Sequence, residues 1–263
     1  MELLEGKTAL IFGVANDHSI AWGIAQAMHK HGARLAFSYA GEVLERRVRA
    51  LAQSVGSSFI EACDVASDEQ IQTVFQRAAR ELGKIDILVH SIAFAGRDEL
   101  SRPYLETSRQ GFLTALEVSV YSFTALARAT APLMPDGGSM MTMTYYGSDK
   151  VMPNYNVMGV AKAALESSTR YLASDLGPRG IRVNAISAGP VRTLSAAGVS
   201  GFKRLYRHFA EIAPLRRNVT ADDVAGTAVW LASDMARAVT GEVIFVDSGY
   251  NILGIPTSTE GEG

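Results

Sequence analysis

The chain has 263 residues, of which 48% are hydrophobic, and its formal net charge is −2. This length and apolar content suffice for one large α/β domain with a complete core. The near-neutral charge argues against a nucleic-acid partner, and no run of lysines and arginines points to a membrane surface.

Cys63 is the single cysteine, so neither an internal disulfide nor a cysteine-rich metal site can form. It follows an apolar segment and is expected to be a small buried residue. The N-terminus lacks a basic stretch ahead of a long apolar run, and no apolar run is long enough to span a bilayer. We therefore expect a cytoplasmic protein without a metal centre.

The first elements form a candidate anion site. A buried strand is predicted at Thr8 to Phe12, and a helix follows from Ile20 to His31, with Ser19 as its candidate N-cap. A strand, a glycine turn and a helix N-terminus bind phosphate, because backbone N–H groups and the helix dipole both favour an anion. The spacing after Gly13 is not G-x-G-x-x-G, so an ordinary tight turn is the alternative.

Two more strands, at Arg34 to Tyr39 and Ser58 to Ala62, flank a helix predicted from Glu42 to Val55. Asp64 follows the third strand, at the edge where open α/β sheets bind ligands. Its carboxylate is equally suited to bind an adenine amino group or to cap the helix that begins near Asp68.

The fourth strand, Ile85 to Val89, leads into the small and apolar residues His90 to Ala95, against which a flat ring could lie. His90 is predicted to be a hydrogen-bonded structural residue, because no second metal ligand is spaced to join it. An exposed polar loop from Gly96 to Thr107 then precedes a long helix from Arg109 to Ala131.

Strand five, Ser139 to Thr144, precedes a helix predicted from Asn154 to Leu176. Tyr155 and Lys162 stand seven residues apart, almost two helical turns, so both would project from one face about 10 Å apart. A phenol that donates a proton and an ammonium that holds a hydroxyl or an anionic oxygen form an acid–base or enolate-stabilising site. Taken alone, the pair also fits an ordinary exposed helix.

Strand six, Ile181 to Ser187, is followed by a glycine-interrupted segment from Leu194 to Ala213. Its apolar stripe of Phe202, Leu205, Tyr206 and Phe209 suits either a lid over an apolar substrate or a surface helix packed on the core. A helix and a final strand are predicted at Ala221 to Ala232 and Val243 to Val246.

Strands that alternate with helices predict one domain over residues 1–263, a Rossmann-like doubly wound parallel α/β sheet of about seven strands with helices on both faces. The site should lie along the strand ends, under a small lid at about 194–213. Residues 255–263 are predicted to form a flexible tail.

Several segments together carry a family resemblance. They read GVANDHSIAWGIAQAM, CDV, HSIAFA, YNVMGVAKAALE and IRVNAISAGPVRTL. From Gly6 to about Asn251 the chain resembles the bacterial enoyl-acyl-carrier-protein reductases, within the short-chain dehydrogenase/reductase superfamily. The Tyr-x6-Lys pair is the most specific of these features.

Ordinary ketone reductases of this superfamily place a Tyr four residues before the Lys and a Ser thirteen before that Tyr. Here those two places hold Met158 and Tyr145, and counting from Tyr155 the second place holds Thr142. The helix from Arg109 to Ala131 also lacks the Asn of those enzymes. The ketoreductase pattern is therefore absent.

The resemblance implies reduction of a trans-2-enoyl thioester by hydride transfer to C3. Tyr155 would donate a hydrogen bond or proton to the thioester oxygen, and Lys162 would hold the nicotinamide ribose and ease ionisation of Tyr155. Tyr145 would line the site beside Tyr155, or simply fill space after strand five. On the substrate side the resemblance implies contacts from Ala95, Tyr145, Tyr155, Met158 and Phe202.

The cofactor-binding residues implied by the resemblance follow the strand ends. Those named for the pyrophosphate, the adenosine and the nicotinamide are Gly13, Ser19, Ile20, Asp64, Val65, Ile92, Lys162, Val191, Arg192, Thr193, Leu194 and Ser195.

Many relatives have a Gln after strand two, where this chain has Ala40, Gly41 and Glu42. Glu42 would repel a 2′-phosphate, although Arg46 and Arg47 lie one helical turn further on. NADH is therefore the expected cofactor, and NADPH the less favoured one.

The expected partners are an enoyl-acyl-carrier protein as substrate and three further copies of the chain in a homotetramer. Two alternatives stay open: a short-chain reductase for another enone or carbonyl substrate, and a non-catalytic NAD(P)-binding regulator.

Overall fold

A computed structural model describes residues 2–197 and 201–254. Seven strands form one sheet in the order β3-β2-β1-β4-β5-β6-β7, and every neighbouring pair is parallel. The doubly wound sheet predicted from the sequence is confirmed. The strands are β1 Thr8–Phe12, β2 Arg34–Tyr39, β3 Ile60–Ala62, β4 Ile87–His90, β5 Gly138–Thr144, β6 Ile181–Ala188 and β7 Val243–Val246.

Helices cover both faces of this sheet. They are α1 Ile20–Lys30, α2 Glu42–Ser54, α3 Asp68–Glu81, α4 Arg97–Ser101, α5 Arg109–Leu116, α6 Ser122–Thr130, α7 Val157–Leu176, α8 Leu194–Ala197, α9 Phe202–Ile212 and α10 Ala221–Ala232.

The core consists of two apolar clusters, one on each face of the sheet. Adjacent residues of β1 point to opposite faces, so Ile11 joins the cluster under α1 and α10, while Leu10 joins the cluster under α3, α6 and α7. Because both faces are buried, the strands read as continuous apolar runs. The strand order reverses between β1 and β4, which leaves a crevice at their carboxyl ends.

The helix predicted from Arg109 to Ala131 is interrupted. Residues Glu117–Tyr121 form a π-helical turn between α5 and α6. Ser119 in this turn is fully buried, and its hydroxyl accepts a hydrogen bond from the Phe94 backbone N–H at 3.0 Å. π turns often occur at functional sites, and this one fixes the chain after β4 against the helix.

The predicted start of α7 at Asn154 is also wrong, because the helix begins at Val157. Asn154 has φ 61° and Asn156 has φ 42°, which are left-handed values that cannot continue a right-handed helix. Tyr155 therefore lies in a turn ahead of the helix, whereas Lys162 lies within it.

The predicted lid at Leu194 to Ala213 contains α8 and α9, with residues 198–200 outside the described part of the chain. Near the end of α9, Phe209 is buried and stacks on Tyr250 with ring centroids 4.8 Å apart. Near its start, Phe202 is half-buried and lies 5.7 Å from the Tyr206 ring. One end of the apolar stripe thus packs on the core, as in the alternative interpretation, and the lid itself stays a prediction.

Within residues 2–197 and 201–254, no helix has the length and apolar character needed to cross a membrane, and no group of three or more His, Cys, Asp and Glu side chains could hold a metal ion. The tail predicted at 255–263 lies outside the described residues.

Candidate active site

A cleft of about 1350 Å³ runs along the carboxyl ends of the strands. It brings together residues that follow β1, β2, β3, β4, β5 and β6. Of the residues predicted from the sequence, those that line it are Gly13, Ser19, Ile20, Asp64, Val65, Ile92, Tyr145, Tyr155, Lys162, Thr193 and Leu194.

The turn after β1 depends on a glycine and a serine. Gly13 has φ +105°, and a Cβ there would lie 2.0 Å from the Ser91 carbonyl oxygen, so only glycine fits. Ser19 occupies the N-cap position of α1, as predicted, but its hydroxyl accepts hydrogen bonds from the N–H groups of Ala15 and Asn16, each at 3.1 Å, rather than from the first turn of the helix. Ser19 thereby holds the turn at the N-terminus of α1, where the helix dipole favours an anion.

Of the two roles considered for Asp64, the structure excludes capping of α3. Ser67 caps α3 by accepting a hydrogen bond from the Gln70 N–H at 3.3 Å. Asp64 accepts from the Ala66 N–H at 3.0 Å and donates its own N–H to Gln70 Oε1 at 2.8 Å. Asp64 is thus free of the capping role and lines the cleft.

Two carboxylates line the cleft beyond β2. Glu42 and Glu45 both belong to its wall, whereas Arg46 and Arg47 do not. Arg49 forms an ion pair with Glu45 at 2.7 Å. An anion entering this end would therefore meet the carboxylate of Glu42 and a Glu45 charge that Arg49 partly offsets.

A buried hydroxyl at the same end is only weakly paired. Ser38 Oγ, near the end of β2, is almost fully buried and lines the cleft, and the Cys63 thiol is its neighbour. A thiol is a weak hydrogen-bond partner, so this hydroxyl fits a polar ligand group such as a ribose hydroxyl. Together with the turn after β1, it makes the cleft suitable for a dinucleotide.

Tyr145 and Tyr155 face each other at the other end of the cleft. Their rings are edge to face, with centroids 5.0 Å apart and planes at 76°. Gly147 permits this arrangement, because a Cβ at that position would lie 2.6 Å from Cδ1 of Tyr155. The two phenols are therefore packed as a pair, which agrees with the predicted placement of Tyr145 beside Tyr155.

Lys162 is 5% exposed and lies on the wall of the same cleft. Its Nζ donates a hydrogen bond to the Met143 carbonyl oxygen at 2.7 Å, near the end of β5. One turn further along α7, Glu166 accepts a hydrogen bond from Thr144 Oγ1 at 2.6 Å. The Lys162 ammonium is thus fixed to β5 with a carboxylate nearby.

Burial dominates the electrostatics of this group. It raises the pKa of Tyr155 above its usual range, and Tyr145 and Glu166 raise it further. Burial also raises the pKa of Tyr145, with a contribution from Tyr250. Burial lowers the pKa of Lys162 to about 8, against the opposing effect of Glu166. At neutral pH the phenols are proton donors and the lysine is largely charged.

His90 is a structural residue, as predicted. Its Nδ1 lies 2.8 Å from Thr142 Oγ1 and its Nε2 lies 2.9 Å from Ser122 Oγ. Burial, together with the charge of Lys162, lowers the pKa of His90 to about 3, so the ring is neutral. Cys63 is buried as expected, and burial raises the pKa of its thiol to about 12.

The remaining predicted residues do not line the cleft. Met158 and Val191 are buried in the core, and Ala95 packs against the cluster that also contacts Tyr155. Arg192 is exposed and lies 4.4 Å from the ring centroid of Tyr206, an α9 residue. Phe202 pairs with Tyr206, and the side chain of Ser195 lies outside the described structure.

Sequence reasoning missed several residues of the cleft wall. Ser38 and Tyr39 end β2, so the strand-end rule used for Asp64 applies to them as well. Glu117 and Val118 reach the wall through the π turn, for which the amino-acid sequence gives no signal.

Residues 13–251 match the family model described as Enoyl-(Acyl carrier protein) reductase. The chain is similar to the enoyl-[acyl-carrier-protein] reductase [NADH] FabI of Bacillus cereus, with 55% identity over 97% of this chain and 100% of that protein. The enzyme of the same name from Aquifex aeolicus is 52% identical over 97% of this chain and 95% of its own length.

Solved structures of enzymes from the same family are also similar to this chain. The Bacillus cereus enoyl-acyl carrier protein reductase with NADP+ and indole naphthyridinone matches with a TM-score of 0.95 at 55% identity, covering 97% of this chain and 100% of that one. The Anaplasma phagocytophilum enzyme in complex with NAD matches with a TM-score of 0.94 at 49% identity, covering 97% of each chain.

Proposed function

This chain belongs to the enoyl-acyl-carrier-protein reductase family of the short-chain dehydrogenase/reductase superfamily, and we infer that it catalyses the NADH-dependent reduction of the trans-2 double bond of enoyl-[acyl-carrier-protein] thioesters in fatty acid biosynthesis. The observation that carries this to the individual residues is the convergence of Tyr155 and Lys162 on one cleft, beside the turn at Gly13.

The cleft suits a dinucleotide from one end to the other. The turn at Gly13 and Ser19 would hold the pyrophosphate, since N–H groups and the helix dipole converge there. Ser38, Asp64 and Val65 would contact the adenosine. Glu42 and Glu45 favour the free 2′-hydroxyl of NADH over the 2′-phosphate of NADPH. When bound, the nicotinamide supplies the hydride that C3 of the enoyl thioester receives.

Tyr155 would stabilise the negative charge that develops on the thioester oxygen. Because burial keeps its phenol protonated, it can donate a hydrogen bond to that oxygen and then a proton. Tyr145 packs against it edge to face and would shield one side of the site from water. Lys162 would hold the ribose hydroxyls of the cofactor and add positive potential near the forming enolate.

The two alternatives are less well supported. A ketoreductase would need a Tyr and a Ser at the places held by Met158 and Tyr145, and Met158 is buried in the core. A non-catalytic regulator has no use for a buried ammonium and two phenols packed at the end of the same cleft.

We also propose that the protein is a homotetramer, with α5, α6 and α7 as subunit contacts. These helices and the π turn between α5 and α6 carry apolar side chains that remain exposed in the single chain, namely Leu113, Tyr121, Val160 and Tyr171.

We propose that α8 and α9 form a lid over the acyl chain. A cytoplasmic location stays a prediction.

The proposed function is tested by following NADH loss with a trans-2-enoyl thioester, for the wild-type protein and Tyr155→Phe. Losing one donor to a developing oxyanion costs about 3–4 kcal/mol of barrier, a hundred- to thousandfold in rate. Tyr104→Phe is the matched control, because Tyr104 is exposed and outside the cleft. Full activity of Tyr155→Phe, or turnover of a 3-ketoacyl thioester without any of the enoyl form, would contradict the assignment.

A further inference from the structure

Asn156 follows Tyr155 directly and is bonded to a distant part of the chain. Its side-chain Nδ2 donates hydrogen bonds to the carbonyl oxygen of Leu100 at 3.1 Å and to that of Arg102 at 2.7 Å. A carboxamide has two N–H donors, and both are used here. The turn that carries Tyr155 is thus joined to the segment after β4.

The two acceptors are themselves fixed in place. Glu99, in the same segment, accepts hydrogen bonds from the N–H and the hydroxyl of Ser108, at 3.1 and 2.6 Å. The Leu100 side chain packs on the apolar cluster that also contacts Tyr155. Asn156 therefore binds to a support that is held from its other side.

The backbone of Tyr155 has local hydrogen bonds, from its N–H to the Met152 carbonyl oxygen at 3.2 Å and from the Met158 N–H to its own carbonyl oxygen at 2.9 Å. The Asn156 side chain adds the bonds to a distant segment. Tyr155 lies between Asn154 and Asn156, both with left-handed φ, ahead of the first residue of α7. Sparsely populated backbone conformations persist only where surrounding interactions determine them. Asn156 combines φ 42° with ψ −120°, outside the left-handed helical region in which asparagine is common, and its carboxamide supplies the two bonds that hold this turn.

We propose that Asn156 is a positioning residue, which acts through Tyr155 by clamping its turn to the carbonyls of Leu100 and Arg102. The proposal rests on the proposed function, because it takes Tyr155 as the group that contacts the thioester oxygen. Small displacements of a reacting group are costly: about 1 Å can reduce a rate a hundredfold.

The experiment compares Asn156→Gly and Asn156→Asp, each alone and combined with Tyr155→Phe. Glycine keeps the left-handed backbone accessible but removes both hydrogen bonds. Aspartate keeps the size but presents only acceptors to two carbonyl oxygens, so it should lose more activity than glycine. Ser101→Ala is the control within the same segment, since that hydroxyl donates its hydrogen bond to the nearby Asp98 carbonyl oxygen.

We expect Asn156→Gly to lower kcat for the enoyl thioester by about tenfold to a hundredfold, with unchanged NADH affinity. NADH affinity also establishes that each variant is folded. Combined with Tyr155→Phe, the substitution should cause little further loss, because the hydroxyl it positions is already gone.

Wild-type kcat in both Asn156 variants would overturn the proposal, and so would losses that simply multiply with that of Tyr155→Phe. The activity of Tyr155→Phe alone tests the proposed function separately. If that variant keeps full activity, the phenol has no role to be positioned for, and both proposals are refuted.

Discussion

Replacing Gly147 by alanine tests whether the close packing of Tyr155 sets the reaction rate. The added Cβ would lie 2.6 Å from Cδ1 of Tyr155 and 3.2 Å from Cδ1 of Tyr145. To restore an ordinary contact of 3.4 Å, the Tyr155 ring must withdraw by about 0.8 Å. A displacement of about 1 Å at a reacting group can cost a hundredfold in rate, so we expect kcat to fall by roughly tenfold to a hundredfold.

The same substitution should also destabilise the fold. Overpacking typically costs about 1–3 kcal/mol, which in a chain of this size lowers Tm by roughly 2–10 °C. The assays are steady-state NADH oxidation with an enoyl thioester and thermal unfolding of the same preparation. NADH affinity should change little, because Gly147 does not line the cleft.

Gly226→Ala is the matched control for Gly147→Ala. Gly226 is an exposed residue of α10, and a Cβ there meets nothing within 4 Å. This change should leave kcat unaltered and stabilise the fold by about 0.5–1 kcal/mol, since alanine favours a helix interior. If Gly147→Ala also keeps wild-type kcat and Tm, the steric reasoning is wrong. If only its Tm falls, the position of the ring does not limit the rate.

Three further predictions follow from the charges and caps. Because burial lowers the pKa of Lys162 to about 8 while Glu166 raises it, activity should decline above about pH 8, and Glu166→Gln should move this decline to lower pH. Glu45→Gln should raise kcat/KM with NADPH several-fold, since it removes a carboxylate from the cleft and releases Arg49. Thr220→Ala should lower the free energy of unfolding by about 1 kcal/mol without changing kcat, because Thr220 caps α10.

Raising the pH should affect activity and stability in opposite directions through Lys162. The folded-state pKa of Lys162 lies below its ordinary value of 10.5, so between about pH 8 and 10.5 the unfolded chain binds more protons at this residue. Lys162 by itself makes the free energy of unfolding rise with pH across this window, whereas the raised pKa values of Cys63, Tyr145 and Tyr155 make it fall above about pH 9. The free energy of unfolding of the wild type minus that of Lys162→Met should therefore rise from about pH 8 to 10.5. A difference between the two proteins in urea unfolding that stays constant over this range would contradict the shifted pKa.

The predictions for Glu45→Gln and Thr220→Ala each have a result that would refute them. Glu81→Gln is the control for Glu45→Gln, because it also breaks an i,i+4 ion pair with an arginine, here Arg77 at 2.7 Å. Glu81 does not line the cleft, so the preference for NADH over NADPH should stay unchanged. An equal gain in both glutamate variants would refute the role of Glu45. A Thr220→Ala protein with unaltered thermal unfolding would show that the cap contributes nothing.

The amino-acid sequence by itself determined the architecture and the kind of chemistry. The predicted bounds of β1, β2 and β7 agree with the structure to the residue. The signal is clearest for β1, because a strand buried along its whole length reads as an apolar run. The alternation of strands with helices required a parallel sheet, and the carboxyl ends of its strands had to meet at one edge. The pairing of Tyr155 with Lys162 then predicted an oxyanion-stabilising site.

Only the tertiary structure decided how the catalytic groups are held. Tyr155 was expected on the helix of Lys162, but the left-handed backbone of Asn154 and Asn156 places it in a turn. The acceptors that hold this turn lie more than fifty residues earlier in the chain. No local pattern reports such a contact, because hydrogen bonds between distant segments depend on how the packed elements meet, and propensity and periodicity describe only neighbours along the chain.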